Sequence, residues 1–105
     1  MIVLAGSFLI PAEKVTSAQP FFRFMVERTR AESKCVSCSY GTDVVVPGQI
    51  NVALCFEDRD GLIAHRLAPY VTDDWNRFVK DFGVTEFNVD EFEAELPKKA
   101  DWTDA

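Results

Sequence analysis

Hydrophobic positions dominate the first stretch of the chain and predict a strand from Ile2 to Ile10. One face of this strand would carry Ile2, Leu4, Phe8 and Ile10, and the other would carry Val3, Ala5 and Leu9. Strands that are apolar on both faces are covered on both sides in folded proteins. The first strand is therefore expected to be covered on both of its faces.

The next segment has apolar residues at helical spacing, namely Val15, Ala18, Phe22, Met25 and Val26. They predict a helix that follows Pro11 and ends near Ser33. Since proline is tolerated only in the first turn of a helix, either Ser17 is the N-cap or the helix is kinked at Pro20. The charged residues towards the helix end are expected to form a solvated surface; they are Glu27, Arg28, Arg30 and Glu32.

Two further strands are predicted from Cys35 to Thr42 and from Gln49 to Glu57, joined by the turn DVVVPG. The short connection predicts an antiparallel hairpin. Cys35 and Cys38 form a C-x-x-C, and at that spacing their side chains would point to opposite faces of a strand. Such a placement favours a structural role over a zinc or redox site.

The second half of the chain predicts two helices and a last strand. The first helix runs from Gly61 to Leu67 with Asp58 or Asp60 as its cap, and the second covers about residues 71–82 before Gly83. Residues 85–92 alternate between apolar and polar side chains, which is typical of an edge strand. Residues 94–105 are predicted to be a polar tail with Trp102 as one anchor.

The order strand, helix, two strands, helix, strand predicts an α+β fold of the ferredoxin-like βαββαβ type with a four-stranded antiparallel sheet. A single domain would span residues 1–93. Both helices of this fold lie on one face of the sheet, so the second apolar face of the first strand needs another cover. We therefore expect a homodimer that packs sheet on sheet, in a dimeric α+β barrel.

Charge and composition restrict the classes of partner. The 105 residues carry 11 Lys or Arg and 17 Asp or Glu, a net charge of -6, which disfavours nucleic acid. No apolar run approaches the ~18 residues of a membrane span. An odd count of three cysteines and a short N-terminal apolar run without basic residues predict a cytoplasmic protein.

Several stretches resemble the antibiotic biosynthesis monooxygenase family, whose members are dimeric and ferredoxin-like. They are IVLAGSFLIPAEK, MVERTRAESKCVSCSY, the turn with Pro47-Gly48, and above all FEDRDGLIAHRLAPY. The resemblance covers roughly residues 1–83. It implies a small oxygenase or quinol oxidase that works with O2 and no cofactor on an aromatic substrate such as a phenol, quinol or polyketide.

The chain departs from the family pattern at three positions. Leu54 and Phe56 occupy the places of a Glu-x-Trp, and Tyr70 replaces the second histidine of the following helix, while Ala64-His65 matches. An Asn-Trp-His set typical of haem-degrading relatives is absent at matching positions. Haem breakdown is therefore not expected, and loss of the Glu-x-Trp leaves a non-catalytic binding or stress-related module as an alternative function.

Oxygenation without flavin or metal needs a dry apolar cavity, a base, and donors that stabilise the substrate anion. Such a cavity is expected between the helices and the third strand, with His65 and Tyr70 as catalytic residues and no metal. Its predicted substrate-binding residues are Ser7, Phe22, Met25, Asn51, Leu54, Phe56, Trp75 and Phe78, with Asn76 as a further polar candidate. Ser7 and Asn51 could instead face the dimer partner.

The only histidine of the chain, His65, has two interpretations. Imidazole is a chemically reasonable base at neutral pH, and the match to the family Ala-His supports a catalytic role. A helix histidine that packs on the sheet and bonds a backbone carbonyl would give the same sequence, and single-residue inference of an active site is probabilistic. Both interpretations stay open at this stage.

Overall fold

The computed structural model describes residues 1–101 and contains four strands and three α-helices. The strands are β1 (Ile2–Leu9), β2 (Cys35–Thr42), β3 (Gln49–Phe56) and β4 (Thr85–Glu93). The helices are α1 (Val15–Arg30), α2 (Arg59–Leu67) and α3 (Asn76–Phe82), with a 3-10 turn at Ala12–Lys14 and a π-helical segment at Tyr70–Trp75.

The four strands form one antiparallel sheet in the order β2-β3-β1-β4. This order is that of the ferredoxin-like fold and confirms the predicted α+β class. β4 lies at an edge, as its alternating pattern predicted, and β1 lies between β3 and β4. The predicted hairpin of β2 and β3 is also present, with Asp43 accepting backbone N–H bonds from Val45 and Val46 in the turn.

The helices cover only one face of the sheet, which we call the inner face. Its core joins side chains of β1 and β3 to side chains of all three helices; they are Ile2, Phe8, Ile50, Val52, Leu54, Phe56, Ala18, Phe22, Leu62 and Phe78. The opposite or outer face carries the alternate residues of the same strands, of which Ala53 and Asn51 are exposed. Strand alternation therefore separates a helix-covered face from a face on which no helix of residues 1–101 lies.

The start of α1 differs from the prediction. The helix begins at Val15 after a 3-10 turn, with Lys14 at the N-cap, so Ser17 is not the cap; its hydroxyl donates to the carbonyl of Lys14. Pro20 lies inside the helix, beyond its first turn. Because Pro20 has no N–H, the carbonyl of Thr16 receives no hydrogen bond from it. Both residues are exposed, so water can bond this carbonyl instead.

The two cysteines of the C-x-x-C share a face, contrary to the prediction. A register shift between Cys35 and Ser37 adds one residue to β2, so Cys35 pairs with Phe56 and Cys38 with Leu54 on the inner face. Burial raises the pKa of Cys38 to about 11. Because reactive cysteines have lowered pKa values, this placement agrees with a structural role.

Two predicted helix ends are confirmed. Asp58 caps α2 by accepting a hydrogen bond from the N–H of Gly61 at 2.9 Å. Gly83 ends α3 in the left-handed conformation at φ 68°, which glycine adopts without strain. Residues 94–101 form no regular element, and the predicted anchor Trp102 lies outside the described residues. None of the helices within residues 1–101 is long and apolar enough to cross a membrane.

Candidate functional site

A cavity of about 310 Å³ lies between the inner face of the sheet and the helices. Its floor comes from three strands and consists of Leu4, Phe8, Val52, Leu54, Val89 and Phe87. The helical side contributes Met25, Val71, Trp75 and His65, and Tyr40 of β2 closes one end. The lining is therefore mostly apolar and aromatic, as in sites for small organic ligands.

The cavity has a charged mouth. Arg66 and Glu91 both line it and approach each other to 3.4 Å, while Arg59 binds the same carboxylate at 2.8 Å. The hydrogen bond from Arg59 holds the pKa of Glu91 below its usual value. These side chains are half-exposed, so this end of the cavity is in contact with solvent.

Three aromatic side chains in mutual contact support the cavity wall. Trp75 meets Phe8 edge-on with ring centroids 5.4 Å apart, and Phe87 stacks on Phe8 at 6.2 Å. Phe87 belongs to the edge strand β4 and is 56% exposed. It reaches Phe8 because Gly6 lets β4 approach β1 closely; a Cβ at Gly6 would lie 1.9 Å from the carbonyl oxygen of Asn88.

His65 is buried in α2 and reaches the cavity. Among residues 1–101 the hydrogen bonds of its ring are both made by Nδ1, at 2.8 Å to Oε2 of Glu32 and at 3.3 Å to the hydroxyl of Tyr70. The ring also packs on Phe56 with a centroid distance of 5.1 Å. In the described part of the chain, Nδ1 therefore contacts a carboxylate and a hydroxyl, and not a backbone carbonyl.

Tyr70 contacts His65 but does not line the cavity. His65 and Tyr70, together with Glu32 and Thr29, form what we call the polar cluster. The hydroxyl of Tyr70 donates to Oε2 of Glu32 and lies 3.2 Å from the hydroxyl of Thr29, which itself donates to the carbonyl of Met25 at 2.7 Å. Burial, reinforced by the bond to Glu32, raises the pKa of Tyr70. The phenol is thus kept as a neutral donor to the carboxylate.

Glu32 was predicted to be solvated, and the structure corrects this. The chain turns directly after α1, and the side chain of Glu32 folds back between His65 and Tyr70 with 20% of its surface exposed. A second missed residue, Thr29, is fully buried. Thr29 continues the spacing of Phe22 and Met25 along α1, so the helical pattern could have revealed it, whereas no local pattern marks Glu32.

Only some of the predicted site residues line the cavity. Met25, Leu54, Trp75 and His65 line the cavity. Phe22, Phe56 and Phe78 are buried in the adjoining core, Tyr70 contacts Glu32, and Asn76 is exposed on α3. Ser7 and Asn51 need correction, because they pair across β1 and β3 on the outer face and cannot enter the cavity.

A buried imidazole whose Nδ1 faces a carboxylate can accept a proton at its other nitrogen. His65 lines the cavity, whereas Glu32 and Tyr70, the partners of its Nδ1, do not. Within residues 1–101, no group of three or more His, Cys, Asp or Glu side chains is arranged to hold a metal ion. The site therefore combines an apolar pocket with one oriented base.

No family model and no curated protein matches the chain, whereas many solved structures match its fold. A structure from Deinococcus radiodurans, provisionally named an antibiotic biosynthesis monooxygenase, has a TM-score of 0.84 at 20% identity over 95% of this chain and 98% of that one. A provisionally named monooxygenase of the same kind from Nitrosomonas europaea has a TM-score of 0.78 at 14% identity, covering 91% and 100%.

Another structure named antibiotic biosynthesis monooxygenase has a TM-score of 0.75 at 20% identity, over 92% of this chain and 100% of the other. Identities this low establish the fold and leave the reaction open. The three structures agree with the resemblance read from the sequence. The chain therefore has the ferredoxin-like fold of proteins named antibiotic biosynthesis monooxygenases.

Proposed function

We propose that this protein is a cofactor-independent monooxygenase or quinol oxidase that acts on a small aromatic substrate with O2. The observation that carries the proposal is His65, an imidazole that lines a mostly apolar cavity and whose Nδ1 faces Glu32. The names of the structures with the same fold point to the same reaction class. Leu54, Met25 and Trp75 would contact the ring of the substrate.

The reaction would begin with transfer of the phenolic or enolic proton of the substrate to Nε2 of His65. For an anthrone, the anion would pass one electron to O2, and the two radicals would combine to a carbon-bound peroxide anion. This anion would take the proton back from Nε2 of His65 to give the hydroperoxide. Loss of water from the peroxide would give the quinone. The apolar lining favours this route because it excludes water from the anion and the radical pair.

Oxygen uptake by protein dialysed against chelator and freed of flavin tests the proposal. A panel of anthrones and quinols should contain a substrate whose oxidation depends on the protein and continues after dialysis. Loss of turnover on dialysis, or the lack of any reaction across the panel, would contradict it. Heat-unfolded protein is the control for spontaneous oxidation of these substrates.

We further propose that two chains pack their outer sheet faces together. Val3 pairs with Cys55 and Phe92 in one row across this face, and Ala5 pairs with Ala53 in the next. Phe92 is 51% exposed and extends the apolar patch predicted from β1 and β3 onto β4. Burial of apolar surface contributes about 25 cal/mol per Å² to association, before ordering costs.

A non-catalytic binding module is the second candidate. It is favoured by Leu54, which places an apolar side chain in the cavity where the family pattern has a glutamate, and by the hydroxyl of Tyr70, which is directed at Glu32. Quenching of Trp75 fluorescence by a quinol, without oxygen uptake, would support this alternative. Oxygen uptake at the same ligand concentration would favour the enzyme.

We also propose that the domain spans residues 1–93 and that residues 94–105 form a polar tail. The proposed location of the protein is the cytoplasm. The end of β4 at Glu93 supports the limit, although Met1 and Ala94 exchange two backbone hydrogen bonds that extend the β1-β4 ladder by one pair. A chain shortened after Pro97 should therefore keep the thermal midpoint of the full chain.

A further inference from the structure

Glu32 has an unusual environment for a carboxylate. Oε2 accepts from the hydroxyl of Tyr70 and faces Nδ1 of His65 at 2.8 Å, and Oε1 is buried without a hydrogen-bond partner within residues 1–101. In the described part of the chain no lysine or arginine forms an ion pair with it. Its negative charge is compensated by a cation only when His65 is protonated.

The geometry also determines which nitrogen of the neutral ring carries hydrogen. The single proton of the Tyr70 hydroxyl is used toward Glu32, so a lone pair on Nδ1 would face the lone pairs of a carboxylate. A proton on Nδ1 converts that contact into a charge-assisted hydrogen bond. The lone pair then resides on Nε2, at the edge of the ring that the cluster leaves to the cavity.

We infer that Glu32 is a positioning residue: it holds His65 as the Nδ1–H tautomer and stabilises the imidazolium that forms when Nε2 accepts a proton from a phenolic ligand. This role deepens the proposed function and rests on it for the identity of the ligand. The proton balance is simple, because the ligand O–H bond breaks, an Nε2–H bond forms, and phenolate and imidazolium remain. The tautomer assignment stands independently of turnover.

Nitrogen-15 NMR tests the tautomer without any substrate. The chain has one histidine, so the imidazole signals belong to His65 alone. At a pH where the ring is neutral, the protein should show Nδ1–H, although free imidazole side chains favour Nε2–H. In Glu32→Leu, which fills the same space without an acceptor, the hydroxyl of Tyr70 should donate to Nδ1 and the ring should change to Nε2–H.

The matched control is Glu27→Leu, because Glu27 lies on the same helix, is exposed and pairs with Arg23. This variant should keep the Nδ1–H ring. Glu32→Leu removes a carboxylate whose Oε1 has no hydrogen-bond partner within residues 1–101, and the hydroxyl of Tyr70 already lies 3.3 Å from Nδ1 of His65, so this variant should fold; Glu32→Gln, which keeps the shape of the side chain, provides a second variant. A neutral Nε2–H ring in the unaltered protein, or an unchanged ring in Glu32→Leu, would overturn the inference.

Ionisation of bound 4-nitrophenol tests whether Glu32 stabilises the imidazolium of His65. Visible absorbance distinguishes bound phenol from bound phenolate, and the ratio of phenolate to phenol should be at least about tenfold lower in Glu32→Leu and in Glu32→Gln. An equal ratio in the unaltered protein and both variants would refute stabilisation of the imidazolium. If 4-nitrophenol does not bind the unaltered protein, the proposed function is contradicted while the NMR result still decides the tautomer.

Discussion

The inner and outer faces of the sheet use the same two strands for different purposes. On the inner face, Leu4, Phe8 and Leu54 border a cavity lined also by a histidine whose partner is a half-buried carboxylate. On the outer face, Ala5 and Ala53 form a flat row of small side chains with no cover within the described chain. Large side chains at a gap create a pocket, whereas small side chains in a row suit the approach of a second sheet.

The two proposed properties, ligand binding and dimerisation, lie on different faces of the sheet. The ligand site depends on the packing of helices against the inner face, and the assembly depends on the outer face. A substitution on one face should therefore leave the other function largely intact, unless the partner chain is needed for folding.

Ala53→Asp should abolish the assembly. It would place one carboxylate per chain near the two-fold axis, and an uncompensated buried charge costs about 3–5 kcal/mol. Light scattering at micromolar concentration should find the unaltered protein at twice the chain mass of 11.8 kDa and the variant at the chain mass or unfolded. Ala12→Asp, at an exposed alanine, is the control. An unaltered protein that is a well-folded monomer would refute the dimer.

His65→Ala should lower kcat/KM by about 10²–10⁴-fold, the usual contribution of a general base. The fold should survive, because the ring lies at the border of the cavity and not in the centre of the core. Steady-state oxygen uptake measures the rate, and circular dichroism measures the fold. Leu67→Ala, on the exposed side of the same helix, should change neither quantity. Unchanged turnover with reduced stability would assign His65 a structural role.

Leu54→Trp should weaken binding of an aromatic ligand by about tenfold or more, because the larger ring occupies part of the cavity. The cavity of about 310 Å³ offers room, so the thermal midpoint should fall only slightly. Ile50→Trp is the matched comparison on the same strand face, where the side chain is fully buried away from the cavity. Overpacking there typically costs about 1–3 kcal/mol. Equal destabilisation by both changes would mean that the cavity is closed in solution.

Alkaline pH should destabilise the inner face. Burial raises the pKa of Tyr40 and of Tyr70 above the ordinary value of 10.0, so the folded state keeps protons that the unfolded chain releases. Their contribution is complete below about pH 10 and is lost as the pH rises towards the folded pKa values. Urea midpoints measured from pH 8 to 11 should decline above pH 10, and Tyr40→Phe should flatten that decline. A flat profile in the unaltered protein would contradict the burial of both phenols.

Thr29→Val should have the smallest effect, a loss of about 1 kcal/mol in the free energy of unfolding, because it removes one buried hydroxyl that bonds Met25 and contacts Tyr70. Denaturant unfolding measures this loss. Thr16→Val, at an exposed position of the same helix, is the control for the change in helix propensity. A loss above about 3 kcal/mol would show that Thr29 has a larger part in orienting the cluster.

The sequence predicted the cavity wall better than the polar cluster. Met25, Leu54 and Trp75 were recognised because apolar spacing places residues on the covered side of a helix or strand. Polarity alone indicates Ser7 and Asn51 as substrate-binding residues, whereas strand alternation places both on the outer face. The bulge after Cys35 was not predictable, because an inserted strand residue leaves no mark in composition.

Linear patterns in the chain were enough to predict the order of elements, the two faces of the sheet and the edge position of β4. These follow from periodicity and short connections, which are local properties of the chain. The contacts of Glu32 with the ring of His65, 33 residues away, and with the hydroxyl of Tyr70 form only in the folded chain. That meeting depends on how the end of α1 packs beside α2, and a contact between distant segments has no period by which a linear pattern could reveal it.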